Sequence, residues 1–383
     1  MTSSKALLCF SLSFIFGVFV SSFLNIPELL IYEFFVLGIL FSLIFLKEKT
    51  IIIFGICLLI FGLGIFKTEI AKPAAIGAPA YEKPSLLKQN LREIISQNFS
   101  PPHSLILAAL TLGDDRQMSQ EWKQKLNITG LRHITAISGS HIIILAGILT
   151  WFFIILGFHR GQAFYPVLIF ICFFVFFTGL QSSAIRAGIM GSVFLLAQKI
   201  GRQKASLRTL ILAAALMLGF DPLLLRHNIG FQLSFLAVLG LIYLMPFFEN
   251  LFEKIKFFKP LGLSYLLAMT FSAQVFTAPI SIYNFGYLSL AAPITNILIG
   301  PLIPFLMTVA FLFLFFSSFY QPLGWLISLP VYLMLDYWIW VVNFFSCLSI
   351  TYINLEISWI CVPISYLFLG LFIYFLSKKR WVI

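Results

Sequence analysis

The sequence predicts an all-α protein, a polytopic transmembrane helix bundle of about 10–12 spans with broken or re-entrant helices. Three observations carry this reading. Of 383 residues, 60% are hydrophobic and only 10% are charged; a soluble domain is nearer half apolar and a quarter charged. The mean hydropathy is +1.01. Apolar runs of about 20 residues, the length of a bilayer crossing, recur along the chain. So few polar side chains cannot coat a water-soluble core. That excludes a soluble enzyme, a soluble DNA-binding domain, a coiled coil and a disordered tail.

The first run, 6–24, follows Met1–Lys5 with no small-x-small cleavage site, so it reads as an uncleaved anchor. Runs 29–46 and 50–66 complete an N-terminal group of membrane helices, 1–66. Residues 67–129 form the one long polar stretch, expected outside the membrane. It opens with Pro/Ala/Gly-rich chain, Lys72–Pro84. An amphipathic helix follows over Ser85–Phe99, with Ser85 as N-cap and Leu86, Leu87, Ile94 and Ile95 as apolar anchors. Pro101 and Pro102 open a second helix that ends at Leu112–Gly113. Asp114–Asn127 is a polar helix or loop. These pieces are expected at the outer membrane surface.

Residues 130–383 carry the remaining runs: 134–157, 163–180, 184–200, 205–220, 229–248, 262–284, 289–318, 322–347 and 357–377. Run 289–318 is too long for one simple crossing. Pro293, Gly300, Pro301 and Pro304 interrupt it, which predicts a broken or re-entrant segment. The 45 Phe read almost entirely as lipid-facing bulk.

Most of the net charge of +11 is explained by where the cations fall. With the N-terminus inside and spans alternating, the inside segments hold Lys5, Lys47, Lys49, Arg160, Lys199, Arg202, Lys204, Arg208, Lys254, Lys256, Lys259, Lys378, Lys379 and Arg380. The short outside loops hold only Arg226. This bias predicts a multi-pass protein of the cytoplasmic (inner) membrane with both termini cytoplasmic. The five Cys stand singly, with no CxxC spacing, so neither a disulfide framework nor a metal site is expected. No GxxxxGK[ST], HExxH or HxHxDH string occurs. No cofactor and no attached ATPase or nuclease is expected.

Polar residues inside spans are the functional candidates. Four clusters stand out. His133, Ser138 and His141 open span four; they form a polar outer mouth, or they bond only to water and headgroups. Arg186 begins span six, where it faces a wet cavity and contacts phosphate, or snorkels to the interface. Beside it, Ala184/Gly188 and Ala187/Gly191 are small-xxx-small pairs for close helix packing. Asp221-Pro222, Gln232 and Ser234 mark the third cluster, where interhelical hydrogen bonding is the plain alternative. The fourth is a seam on span nine: Thr270, Gln274, Thr277, Ser281 and Asn284, broken at Pro279. Steps of four and three put these on one helix face, a pore lining or a helix–helix interface. Glu33 and Asp336 are isolated acids with no evident partner.

At these clusters the chain resembles the competence domain of the ComEC family. The resemblance rests on Leu112-Gly113-Asp114, Gly130-Leu-x-His133-x-x-Ala136-Ile-Ser138-Gly139-x-His141, Ile185-Arg186-Ala187-x-x-Met190, Asp221-Pro222, Gly230-Phe-Gln232-Leu-Ser234-Phe-x-Ala237, Gln274…Pro279…Phe285-Gly286 and Asn296…Pro301. It implies an inner-membrane channel that passes one DNA strand inward during natural transformation. Larger members add an outside OB-like domain and a cytoplasmic metallo-β-lactamase-like domain; segment 67–104 is too short for the first, and no motif of the second is present.

The expected function is therefore a channel component for single-stranded DNA uptake, not an enzyme, with 130–383 as the channel domain. His133, Ser138 and His141 would form the mouth, Arg186 would contact phosphate, and Gln232 and Gln274 would be uncharged donors along the path. Its partners would be single-stranded DNA, the lipid bilayer, and separate DNA-receptor, nuclease or motor proteins. Three readings compete with it. A carrier of a small anionic or polar solute would keep Arg186 and the seam. An intramembrane hydrolase would use Ser138 with His133 or His141, although no orienting acid is evident. A membrane scaffold is the blandest.

Overall fold

A computed structural model describes residues 3–45, 48–74, 85–180, 182–199, 206–255, 262–348 and 350–378. The stretch 75–84, Gln181, and Lys47, Arg202, Lys204, Lys256, Lys259, Lys379 and Arg380 lie outside the described residues. The architecture is all-α apart from two three-residue strands. Seven helices among the described residues are long and apolar enough to cross a membrane, and four more are apolar but shorter. The chain forms two compact units, residues 1–81 with 193–235, and residues 82–192 with 236–383.

In the first unit, α1 (Ser3–Phe23), α2 (Glu28–Ile44) and α3 (Lys49–Ala74) pack side by side. Lipid tails are as apolar as leucine, so association of such helices rests on close van der Waals fit. Glycines supply that fit. A Cβ on Gly64 of α3 would lie 2.6 Å from the Phe14 carbonyl oxygen of α1, and one on Gly17 would overlap the Phe61 carbonyl. Helices α11 (Ser206–Phe220) and α12 (Leu224–His227) lean on α1.

The second unit holds α4 (Leu86–Asn98), α5 (His103–Leu112), α6 (Gln120–Ile128), α7 (Arg132–Thr135), α8 (Gly139–Ile155) and α9 (Arg160–Phe177). It also holds α14 (Leu263–Phe285), β1 (Tyr287–Ser289), α15 (Ala292–Ile299), α16 (Leu302–Phe319), α17 (Gln321–Ser346), β2 (Tyr352–Asn354) and α18 (Cys361–Lys378). Two helices, α10 (Ser182–Lys199) and α13 (Ile229–Glu253), run from one unit into the other. β1 and β2 pair antiparallel, Tyr287 opposite Asn354 and Ser289 opposite Tyr352. The Gly300-Pro301 step splits run 289–318 into α15 and α16, the break the prolines require.

The core of this unit gathers Ile95 and Phe99, most of α5, Met118 and Leu126 against Leu306, Met307, Phe313, Leu335 and Trp338. Nine of the ten residues of α5 are buried, packed on α16 and α17. This corrects the expectation that the second outside helix lies on the membrane surface. HSLILAALTL is apolar on all sides, the pattern of a helix surrounded by protein. The cap assignments hold. Ser85 Oγ accepts the Lys88 N–H, and Gly113 stops α5 in the left-handed region at φ 66°. That turn lets the Asp114 N–H reach the Ala108 carbonyl at 3.2 Å.

α4 and α5 thus form a helical hairpin sunk into the unit. Lys125, on α6, donates to Asn343 Oδ1 near the C-terminal end of α17. At the hairpin's turn, Phe99 meets Phe313 edge-on and His103 stacks on Tyr332. Tyr332 stands eleven residues before Asn343, about 16 Å along α17.

Candidate functional site

The polar centre of the second unit is built around the chain from Ile128 to His141. α6 ends at Ile128, and the turn passes through Gly130 at φ 74°, a left-handed conformation suited to glycine. A Cβ on Gly130 would overlap that of Ala292 on α15. Three successive carbonyls are left without helical partners here, and each is held from elsewhere. Ser289 Oγ donates to the Ile128 oxygen at 2.6 Å. Thr295 Oγ1 donates to the Thr129 oxygen at 2.7 Å. His133 Nδ1 donates to the Gly130 oxygen at 2.8 Å. A carbonyl accepts only, so His133 carries its proton on Nδ1. Its side chain is exposed, with Nε2 as acceptor.

After α7 the chain runs extended through Ala136 to Ser138, then re-enters helix as α8. The run 134–157 is therefore two helices with a break. Ser138 and His141 close a reciprocal capping box. The Ser138 N–H donates to His141 Nδ1 at 3.3 Å, and Ser138 Oγ lies 2.8 Å from the same nitrogen. Acting as acceptor, Nδ1 leaves the ring proton on Nε2. His141 is fully buried, and Nε2 finds no hydrogen-bond partner among the described residues. A buried donor left so costs about 1–3 kcal/mol.

Arg186 on α10 is buried. The small-residue pairs beside it pack as expected. A Cβ on Gly188 would lie 2.6 Å from Val175 of α9, and one on Gly191 would lie 2.7 Å from Ile142 of α8. α10 therefore brings Arg186 into the same unit as the α7–α8 break.

The two glutamines act on backbone. Gln274 Nε2 donates to the Ser289 carbonyl at 2.6 Å and so ties α14 to the β1 segment that holds Ile128. Gln232 lies in the first unit, where its amide donates to Leu225 and Arg226 carbonyls at the end of α12. Along the α14 seam, Thr270, Thr277 and Asn284 bond back to their own helix. Tyr366 of α18 donates to the Phe276 carbonyl beside Pro279.

Charged pairs frame the hairpin. Arg92 pairs with the buried Asp114, which accounts for the acid in the Leu-Gly-Asp string. Arg132 pairs with Asp115 at 2.8 Å. Lys88 is buried, its Nζ 3.4 Å from the Thr178 carbonyl. Burial lowers its pKa, with Asp114 pulling the other way. Asp336, without a partner in the sequence reading, lies 3.5 Å from His103 Nε2 across the α5–α17 contact. An acid midway along an apolar helix is expensive in lipid; the positive end of α5 beside it offsets part of that cost. The chain separates these two residues by more than 200 positions, so no local pattern marks the pair. Among the described residues, no group of three His, Cys, Asp or Glu is placed to hold a metal ion.

Bilayer-length apolar helices, together with broken helices, buried hydroxyls and buried imidazoles in the second unit, define a polytopic α-helical membrane protein. The family model described as Competence protein matches residues 110–380. The chain belongs to that competence protein family, ComEC. It is also similar to ComE operon protein 3 of Bacillus subtilis (strain 168), 29% identical over 219 residues, 57% of this chain and 27% of that protein. It thus matches little more than a quarter of that relative's length. No solved structure matches the chain.

Proposed function

We propose that this protein takes part in competence DNA uptake as a channel component, passing single-stranded DNA across the cytoplasmic membrane. One observation carries the reading. In the second unit, the α6–α7 turn that leads into the α7–α8 break is held to β1 and α15, the segment that leads into the Gly300-Pro301 step, by Ser289 and Thr295. Non-helical backbone at membrane depth is tolerated where protein buries it or where it lines water. A polyanion needs a wet path with donors that hold it weakly, since a tight site stalls a polymer. His133, Ser138, His141 and Arg186 would line that path. Gln274 would keep its walls in place through the Ser289 carbonyl it holds; Gln232 holds carbonyls of the first unit only. Both termini would be cytoplasmic, with receptor, nuclease and motor functions supplied by other proteins.

The hydrolase reading is weaker. Ser138 and His141 do approach to 2.8 Å, but the contact belongs to a helix cap. His141 Nε2, where a triad acid would sit, has no such partner among the described residues. The solute-carrier reading keeps Arg186 but gives no reason for a helix break beside a turn held to β1 and α15.

Transformation frequency tests the proposal. Arg186→Ala at normal expression is expected to lower it about tenfold or more, the loss of one charge-assisted phosphate contact. Gln274→Ala is expected to lower it by loosening the β1 junction. Wild-type frequencies in both would refute the assignment.

A further inference from the structure

We infer that the first unit carries a binding site for the phosphate headgroup of an anionic glycerophospholipid, at the Arg226–His227 end of α12. A cavity of about 140 Å³ lies there, lined by Ser22, Asn25, Lys72, Leu223, Arg226 and His227. All six belong to the first unit.

Charge accounting singles out Arg226. The three hydrogens of Lys72 are taken by Glu69 at 2.7 Å, Asn25 Oδ1 at 3.2 Å and the Leu24 carbonyl at 3.3 Å. Lys72 and Glu69 therefore cancel. Asp221, the nearby acid in the chain, turns Oδ1 to its own backbone and accepts the Leu223 N–H at 3.0 Å. Arg226 donates Nη1 to the Ser22 carbonyl at 2.5 Å and lies over the Phe23 ring at 5.5 Å. No acid pairs with its guanidinium among the described residues. The rest of the donor fork remains for a ligand, and a fork suits phosphate. His227 is exposed and its side chain makes no hydrogen bond among the described residues. Asn25 Oδ1 is occupied by Lys72, which leaves its amide hydrogens as further donors.

Position and rim select a lipid over a polymer. The cavity lies at the C-terminal ends of α1 and α3, both long enough to span a bilayer. That is the level at which acyl chains give way to headgroups. Close in the chain to its lining residues, Phe19, Phe23, Leu24, Ile70 and Phe220 are exposed, apolar surface suited to acyl chains. The volume takes one phosphate with its glycerol, not a run of nucleotides.

Native mass spectrometry of the full chain in mild detergent tests this, with phosphatidylglycerol, phosphatidylcholine, inorganic phosphate and a single-stranded oligonucleotide as probes. Phosphatidylglycerol is expected to be retained by the wild type and by the surface control Arg116→Ala. Arg226→Ala is expected to retain about tenfold less. Because Arg226 also holds the end of α1, His227→Ala, which removes no described hydrogen bond, is measured beside it; a several-fold loss is expected. Wild-type retention in both variants would overturn the site. So would equal binding of phosphatidylcholine. Displacement of the lipid by the oligonucleotide or by inorganic phosphate at equal concentration would reassign the pocket away from lipid.

Discussion

Gly130→Ala is expected to destabilise the second unit by about 3 kcal/mol and to bring transformation close to background. Two costs add. A non-glycine residue at φ 74° pays about 1–2 kcal/mol for the left-handed backbone. Its new Cβ would also collide with Ala292 Cβ, with the Ala292 Cα only 3.0 Å away. A collision with backbone is not relieved by a rotamer change, and overpacking of this kind costs about 1–3 kcal/mol. The damage then spreads. Moving Ala292 away carries Thr295 and Ser289 with it, and these hold the Thr129 and Ile128 carbonyls. Thermal unfolding of the purified protein checks the stability term, and transformation frequency checks the function. An unchanged midpoint would mean that the α6–α15 contact is looser than described.

His141→Asn separates two roles that the wild-type ring combines. The Asn side-chain oxygen falls close to the place of Nδ1 and keeps an acceptor for the Ser138 N–H, so α8 retains its cap. It lacks the buried Nε2–H that has no described partner. If that donor serves the passing strand, His141→Asn folds normally and loses about tenfold or more in transformation. His141→Ala is expected to lose the cap as well, with about 1 kcal/mol of stability. Normal transformation by a stable His141→Asn would leave His141 as a cap and nothing more.

Much of this fold was legible where the governing signal is local. Ser85 caps α4, Gly113 ends α5, and the proline-rich run 289–318 breaks. Each follows from backbone chemistry within a few residues. The small-residue pairs of α10 gave its packing faces for the same reason. The burial of α5 was also within reach. Its sequence is apolar on every face, and only its setting in a polar segment argued for the membrane surface. The candidate site was harder. The residues that hold Ile128 and Thr129 lie more than 160 positions downstream, and Asp336 meets His103 across the hairpin contact. Such pairings follow from tertiary packing and leave no periodic trace. The glutamines illustrate a further gap. Sequence marks an amide in an apolar run as costly, but it does not say whether a strand or a carbonyl receives it. For Gln232 and Gln274 the described partners are carbonyls.

The central claim is that the transported strand passes along the broken-helix centre of the second unit. Site-directed photo-cross-linking during DNA uptake tests it most directly. A photoreactive amino acid is placed at His133, at His141 or at Phe315, an exposed apolar position of α16 in the same unit. Labelled transforming DNA is caught in transit, and adducts are counted at each site. Adducts at 133 and 141 with none at 315 are the expected result. Adducts at 315, or at none of the three while transformation proceeds, would contradict the route.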